Sequence, residues 1–199
     1  MKIQLVDRNE DICNEWEEQF EHCPDVTIYY GDFFSVPTDC VVSPANSYGF
    51  MDGGLDLLIS EKLGWGIQEK LQKKIKEEYI GELLVGQAIL IETGNMDIPF
   101  CISAPTMRVP TILKDSVNIY LASKAIFYLL KNEPRIESVT ISGIGTGVGR
   151  ISPKICARQM KQAYVDVWQD RYMFPTSWDD AQKRHQLLYQ NNYKDMQRY

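Results

Sequence analysis

The chain has 199 residues, 44% of them hydrophobic and 24% charged, which suits one globular domain with a sizeable core. A formal net charge of −6 lacks the basic balance of non-specific nucleic-acid binding, and no stretch approaches the roughly 18 apolar residues of a membrane span. Five scattered cysteines without a CxxC pair, and only two histidines, argue against a disulfide framework and against a metal centre.

The opening residues, Met1 to Asp7, lack the apolar run and cleavage site of a signal peptide, so the expected setting is the cytoplasm, with reduced and mostly buried thiols. Ile3 to Val6 reads as a first strand. Asn9 or Asp11 caps a helix to about Phe20, in which Ile12, Trp16 and Phe20 recur at helical spacing. Val26 to Tyr30 is β-branched and aromatic and reads as a strand ended by Gly31-Asp32. Cys40-Val41-Val42 starts a third strand running into Ser43-Pro44-Ala45-Asn46, followed by a glycine-rich stretch and helical sequence to about Tyr79, broken near Gly64 to Gly66. Gln87 to Glu92 and Phe100 to Ala104 are two more strands. Asp115 or Ser116 caps a helix through about Lys131, Ser138 to Ile141 is the last strand, and a helix led by Ser152-Pro153 runs to about Trp168.

Strands alternating with helices predict a layered α/β domain with a mostly parallel sheet, in which ligands sit at the carboxyl ends of strands. The expected division is a domain over residues 1–170 and a C-terminal helical extension over 171–199, docked or trailing. Two glycine-rich loops fall at the ligand edge. The first, Asn46 to Asp56, leaves a buried strand and enters a helix whose start offers unpaired N–H donors and partial positive charge. The second, Ser142 to Gly149, holds four glycines and can form a cradle of N–H groups. No Gly-Lys-Ser/Thr follows it, so it is not a Walker motif, and a GxGxG after the last strand is misplaced for a Rossmann fingerprint. Two anion-friendly loops suit a ligand with two linked phosphates. The plain alternative for each is a strand–helix turn with glycines for geometry.

These residues resemble the macro domain family over about Thr27 to Trp168, in a divergent branch similar to bacterial and phage-associated members. Gly31-Asp32-Phe33, followed by Ser43-Pro44-Ala45-Asn46, is similar to the family's Gly-Asp-Ile opening and Asn-Ala-Ala-Asn strand end. The spacing from Asn46 to Asp56 matches the catalytic Asn and Asp of the hydrolytic branch, and Gly143 to Gly149 resembles the second phosphate loop. Three departures stand out. Ser43 replaces the first Asn, Met51-Asp52-Gly53-Gly54 replaces a triple glycine and adds a carboxylate, and Gly149-Arg150 replaces an aromatic-Gly pair.

The resemblance implies a three-layer α/β/α domain with a mixed, largely parallel six-stranded sheet and an ADP-ribose cleft across the strand ends. It implies that Asp32 and the Phe33 N–H read adenine. Ala45, Gly53, Gly54 and Leu55 of the first loop, with Gly145, Thr146, Gly147, Val148 and Gly149 of the second, would hold the rest of the ligand. Asn46 would orient the distal ribose and Asp56 a water near its anomeric carbon. No cofactor is expected. The implied partner is ADP-ribose, or a protein or small molecule carrying it, met by a monomer without membrane contact. Three readings remain: a hydrolase of ADP-ribose adducts or ADP-ribose 1″-phosphate, a non-catalytic reader, and another nucleotide-binding α/β protein. At the start of a helix Asp56 is expected to stay charged, held as an anion by the dipole.

Overall fold

A computed structural model describes residues 1–196; the last three residues of the expected C-terminal extension lie outside the described part. Six strands form one sheet in the order β2-β1-β6-β3-β5-β4. They are β1 (Lys2–Asp7), β2 (Val26–Tyr30), β3 (Cys40–Ser43), β4 (Ile89–Glu92), β5 (Phe100–Ser103) and β6 (Ser138–Ile141). All neighbours pair in parallel except β4 with β5.

Period-two alternation in the central strands separates two cores. Cys40 and Val42 face one, together with Ile102, Val139 and Ile141; Val41 and Cys101 face the other. The first core is closed by α1 (Glu10–Phe20), α4 (Asn118–Lys131) and α5 (Pro153–Ala163), which bury Trp16, Phe127 and Met160. The second is closed by α2 (Gly54–Leu63) and α3 (Gly66–Glu78), through Ile59, Ile67, Leu71 and Ile75. The result is a three-layer α/β/α fold with a mixed, mostly parallel six-stranded sheet, as the sequence pattern and the resemblance led one to expect.

Helix boundaries follow their caps. The Asn9 side chain accepts from the Asp11 N–H and starts α1; the Ser152 side chain accepts from the Ile155 N–H, with Pro153 in the first turn of α5. The α4 helix begins later than its sequence suggests. Asp115 adopts φ 57°, outside the helical region, and Leu113 N–H is held by the Gly149 carbonyl, so the chain turns before helix starts at Asn118. After Ala163, α5 widens into a π-helical turn, Tyr164–Trp168. The chain then forms α6 (Trp178–Leu187), where Arg158 of α5 donates to the carbonyls of Leu187 and Gln190. All five cysteines are buried and unpaired.

Candidate functional site

The carboxyl ends of the five parallel strands open onto one cavity of about 420 Å³, within the size range of ligand sites. Every residue that the sequence singled out lines it: Asp32, Phe33, Ala45, Asn46, Gly53, Gly54, Leu55, Asp56, Gly145, Thr146, Gly147, Val148 and Gly149. The sheet order makes this possible. β6 lies between β1 and β3, so the loop after β6 faces the loop after β3 although nearly a hundred residues separate them.

The second loop ties itself into a ring. Thr146 donates through both N–H and Oγ1 to the Gly143 carbonyl, Arg150 N–H to Gly147, and Ile151 N–H to Gly145. The N–H groups of Gly147, Val148 and Gly149 take part in none of these bonds, which leaves three successive donors at the cavity wall. Gly145 has φ +77°, and a Cβ there would meet Ile119 Cδ1 at 2.2 Å. Gly147 faces open space. One glycine is therefore required by packing and the other by the room it leaves.

In the first loop, Gly53 caps α2 without any side-chain bond, so the N–H groups of the first turn stay available next to the cavity. Asn46 organises this loop. Its Nδ2 donates to the Phe50 carbonyl at 2.8 Å, and its Oδ1 accepts from the N–H groups of Tyr48 and Phe50. The amide expected to orient a ribose is thus engaged with its own turn. Arg108 braces the other side: its carbonyl accepts from Ser47 N–H, and its guanidinium pairs with Glu82, which also accepts from Tyr48 Oη.

Asp56 lies beneath the first loop, 8% exposed. Fully buried Ser43 donates from Oγ to Asp56 Oδ1 at 2.6 Å. Burial pushes the Asp56 carboxyl up to about 6, against the lowering effect of the Ser43 bond, and the negative charge of Asp52 adds to the rise. A carboxyl at about 6 is still mostly ionised at pH 7, so the expected charge is kept, but burial rather than the helix dipole sets its value. The helix start is present, but desolvation outweighs it.

At the opposite end Asp32 accepts from Phe34 N–H at 2.8 Å and pairs with Arg8. The Phe34 bond first, and then Arg8, hold its carboxyl below the usual range. The Phe33 ring is buried in the second core and packs edge-on against Phe34, so only its backbone is placed to meet a ligand. Sequence reasoning missed Arg8, Thr106, Met107 and Pro110, which also line the cavity. None carries a local motif. β1 places Arg8 beside Asp32, and β5 places Thr106 beside Ala45, where Thr106 N–H donates to the Ala45 carbonyl. Among the described residues no group of three or more His, Cys, Asp or Glu is placed to hold a metal ion, and no helix is long and apolar enough to cross a membrane.

The family model described as Macro domain matches residues 42–160. An uncharacterized protein of Aquifex aeolicus is 32% identical over 136 residues, which is 68% of this chain and 78% of that protein. An uncharacterized protein of the archaeon Aeropyrum pernix is 33% identical over 138 residues, 69% of each. Among solved structures, Thermosipho africanus DarTG in complex with ADP-ribose superposes with a TM-score of 0.57 at 14% identity, covering 81% of this chain and 50% of that one. The matched segment begins within β3, takes in both glycine loops and most of α5, and covers more than half of the chain, which shows that the chain belongs to the macro domain family.

Proposed function

We propose that this protein binds ADP-ribose and hydrolyses adducts that carry it. The observation that supports the reading best is the meeting of two glycine-rich loops at one cavity beside a buried carboxyl titrating near neutrality. Open N–H groups of the second loop and of the α2 start suit a diphosphate. Asp32 suits the adenine amino group and the Phe33 N–H a ring nitrogen. That Thermosipho africanus DarTG, which shares this fold, was solved in complex with ADP-ribose supports the choice of ligand.

In the hydrolytic reading, Asp56 is the general base. Ser43 fixes Oδ1, which leaves Oδ2 to take a proton from a water. That water's oxygen bonds to the anomeric carbon, the bond to the attached group breaks, and its electron pair leaves with that group, which takes up a proton. A base near pH 6 is mostly ionised at pH 7 yet retains proton affinity, which favours this role. A cytoplasmic setting suits the five unpaired thiols.

A second reading, a non-catalytic reader, draws on Asn46, whose amide is already bonded within its loop. Calorimetry with ADP-ribose and AMP, followed by a turnover assay on mono-ADP-ribosylated protein and on ADP-ribose 1″-phosphate, separates the readings. Binding of ADP-ribose with turnover supports the enzyme, and binding without turnover the reader. Equal affinity for AMP would remove the ADP-ribose assignment.

A further inference from the structure

Among the described residues, four carboxylates and one guanidinium line the cavity: Asp7, Asp32, Asp52 and Asp56, with Arg8. Asp32 and Asp56 have roles in the proposed function, and Asp52 is exposed. Asp7 has no such role, yet it ends β1, and β1 lies between β2 and β6. Its position is therefore between the turn that follows β2 and the glycine loop that follows β6.

The bonds of Asp7 explain why an acid stands there. Its Oδ2 accepts from Gly143 N–H at 3.0 Å and its Oδ1 from Asn9 N–H at 2.9 Å. Its carbonyl accepts from Gly31 N–H at 2.9 Å, one residue before Asp32. Both carboxylate oxygens are thus taken by backbone donors. An ionised carboxylate accepts at both oxygens, whereas asparagine replaces one acceptor with an NH2 donor. Gly143 is gripped from its other side as well, since its carbonyl accepts from the N–H and Oγ1 of Thr146. A Cβ on Gly143 would come within 3.1 Å of Asp7 Oδ2 and 3.2 Å of Thr146 Oγ1, so the glycine fits closely between the two.

We propose that Asp7 is a positioning residue of the cavity. Its carboxylate sets the start of the second loop, so that the N–H groups of Gly147, Val148 and Gly149 meet a diphosphate. Its carbonyl holds the turn that presents Asp32 and the Phe33 N–H to adenine. One residue thereby fixes the distance between the two ends of the ligand. This role rests on the ADP-ribose reading. Charge alone leads to the opposite expectation: a carboxylate in the wall repels a diphosphate, so its removal would tighten binding. The sign of the change separates positioning from charge.

The test is the dissociation constant for ADP-ribose in wild type, Asp7→Asn, Gly143→Ala and Asn9→Ala, each well below its melting temperature. Asp7→Asn keeps the shape of the side chain and loses one acceptor and the charge, and its affinity should fall about tenfold or more. Amide NMR locates the loss: ADP-ribose should still shift the Phe33 amide, and shift those of Gly147, Val148 and Gly149 much less than in wild type. Gly143→Ala crowds the same contact from the other side and should also weaken binding, which tests the role even where Asp7→Asn does not fold. Asn9→Ala removes the cap of α1, so it should lower the melting temperature and leave the dissociation constant unchanged. Affinity equal to or above wild type in folded Asp7→Asn or Gly143→Ala, or an equal loss in Asn9→Ala, overturns the role of Asp7 while leaving ADP-ribose binding in place. A wild type that does not bind ADP-ribose overturns the proposed function and this role together.

Discussion

Ser43 Oγ donates to Asp56 Oδ1 across 2.6 Å, joining the end of a central strand to the first turn of α2 beneath the glycine loop. The bond gives a desolvated carboxyl one fixed partner and leaves it titrating at about 6. Stability and proposed chemistry are therefore linked through one side chain.

Stability should depend on pH through Asp56. Its carboxyl has an ordinary value of 3.8 and is raised to about 6 in the fold. Between these values the folded protein holds the proton more tightly than the unfolded chain. Its contribution is thus most favourable below about pH 4 and is lost as pH rises through 6. Asp56→Asn keeps an acceptor for Ser43 and has no charge to desolvate. It should stabilise the protein at pH 8 by on the order of 1–3 kcal/mol and by little at pH 4. Thermal unfolding at pH 4, 6 and 8 tests this; the same increment at all three would show that Asp56 does not titrate in this window.

Ser43→Ala should move the carboxyl further in the same direction. The Ser43 bond lowers the Asp56 value, so its loss leaves desolvation less opposed. An NMR titration of the side-chain carboxyl should show an upward shift. Denaturant unfolding at pH 8 should show a loss of about 1–3 kcal/mol, the usual cost of removing a buried partner. An unchanged titration midpoint would mean that the serine only fills space.

Two glycines of the second loop should respond differently. Gly147 faces open space, so Gly147→Glu should fold normally while placing bulk and negative charge where a diphosphate would lie. Affinity for ADP-ribose should fall at least about a hundredfold. Gly145→Ala instead forces a methyl against Ile119 at a backbone angle of φ +77°, and should lower the melting temperature. Wild-type affinity in Gly147→Glu would reduce the second loop to a structural turn.

How far the sequence could be read depended on whether the signal was local. The start of α1 at Asn9 and of α5 at Ser152-Pro153 is written in capping chemistry, and the structure contains both bonds. The delayed start of α4 is not, because the positive φ of Asp115 goes with a turn held by Gly149 from another loop. The two glycine loops were legible as strand-to-helix turns. Arg8 and Thr106 were not, since each reaches the cavity only through the order in which β1 and β5 join the sheet. The raised titration of Asp56 was also hidden. Sequence shows a helix-start acid, but the layer of chain that buries it is a property of the fold.

Asp32→Ala should weaken adenine recognition without unfolding the domain. The side chain accepts from Phe34 N–H and pairs with Arg8 at an accessible edge, so its loss removes a turn bond and no core contact. Affinity for ADP-ribose should fall about tenfold or more, the scale of one hydrogen bond to a charged group. A folded variant with an unchanged dissociation constant would take Asp32 out of the site.

Asp56→Ala separates enzyme from reader. The buried carboxyl is held by Ser43 through one oxygen, and the proposed mechanism gives the water's proton to the other. Removing it deletes the base but none of the backbone donors assigned to the diphosphate. Turnover of an ADP-ribosylated substrate should therefore drop by at least about a hundredfold. Affinity for ADP-ribose should stay the same or rise, because a negative charge leaves a cavity that receives an anion. The pH dependence offers a second readout: wild-type turnover should increase with pH through about 6 as Asp56 ionises, and the residual rate of the variant should lose that step. Equal turnover in variant and wild type would exclude Asp56 as the base, and a wild type that binds ADP-ribose but turns over neither protein nor phosphate adducts would favour the reader.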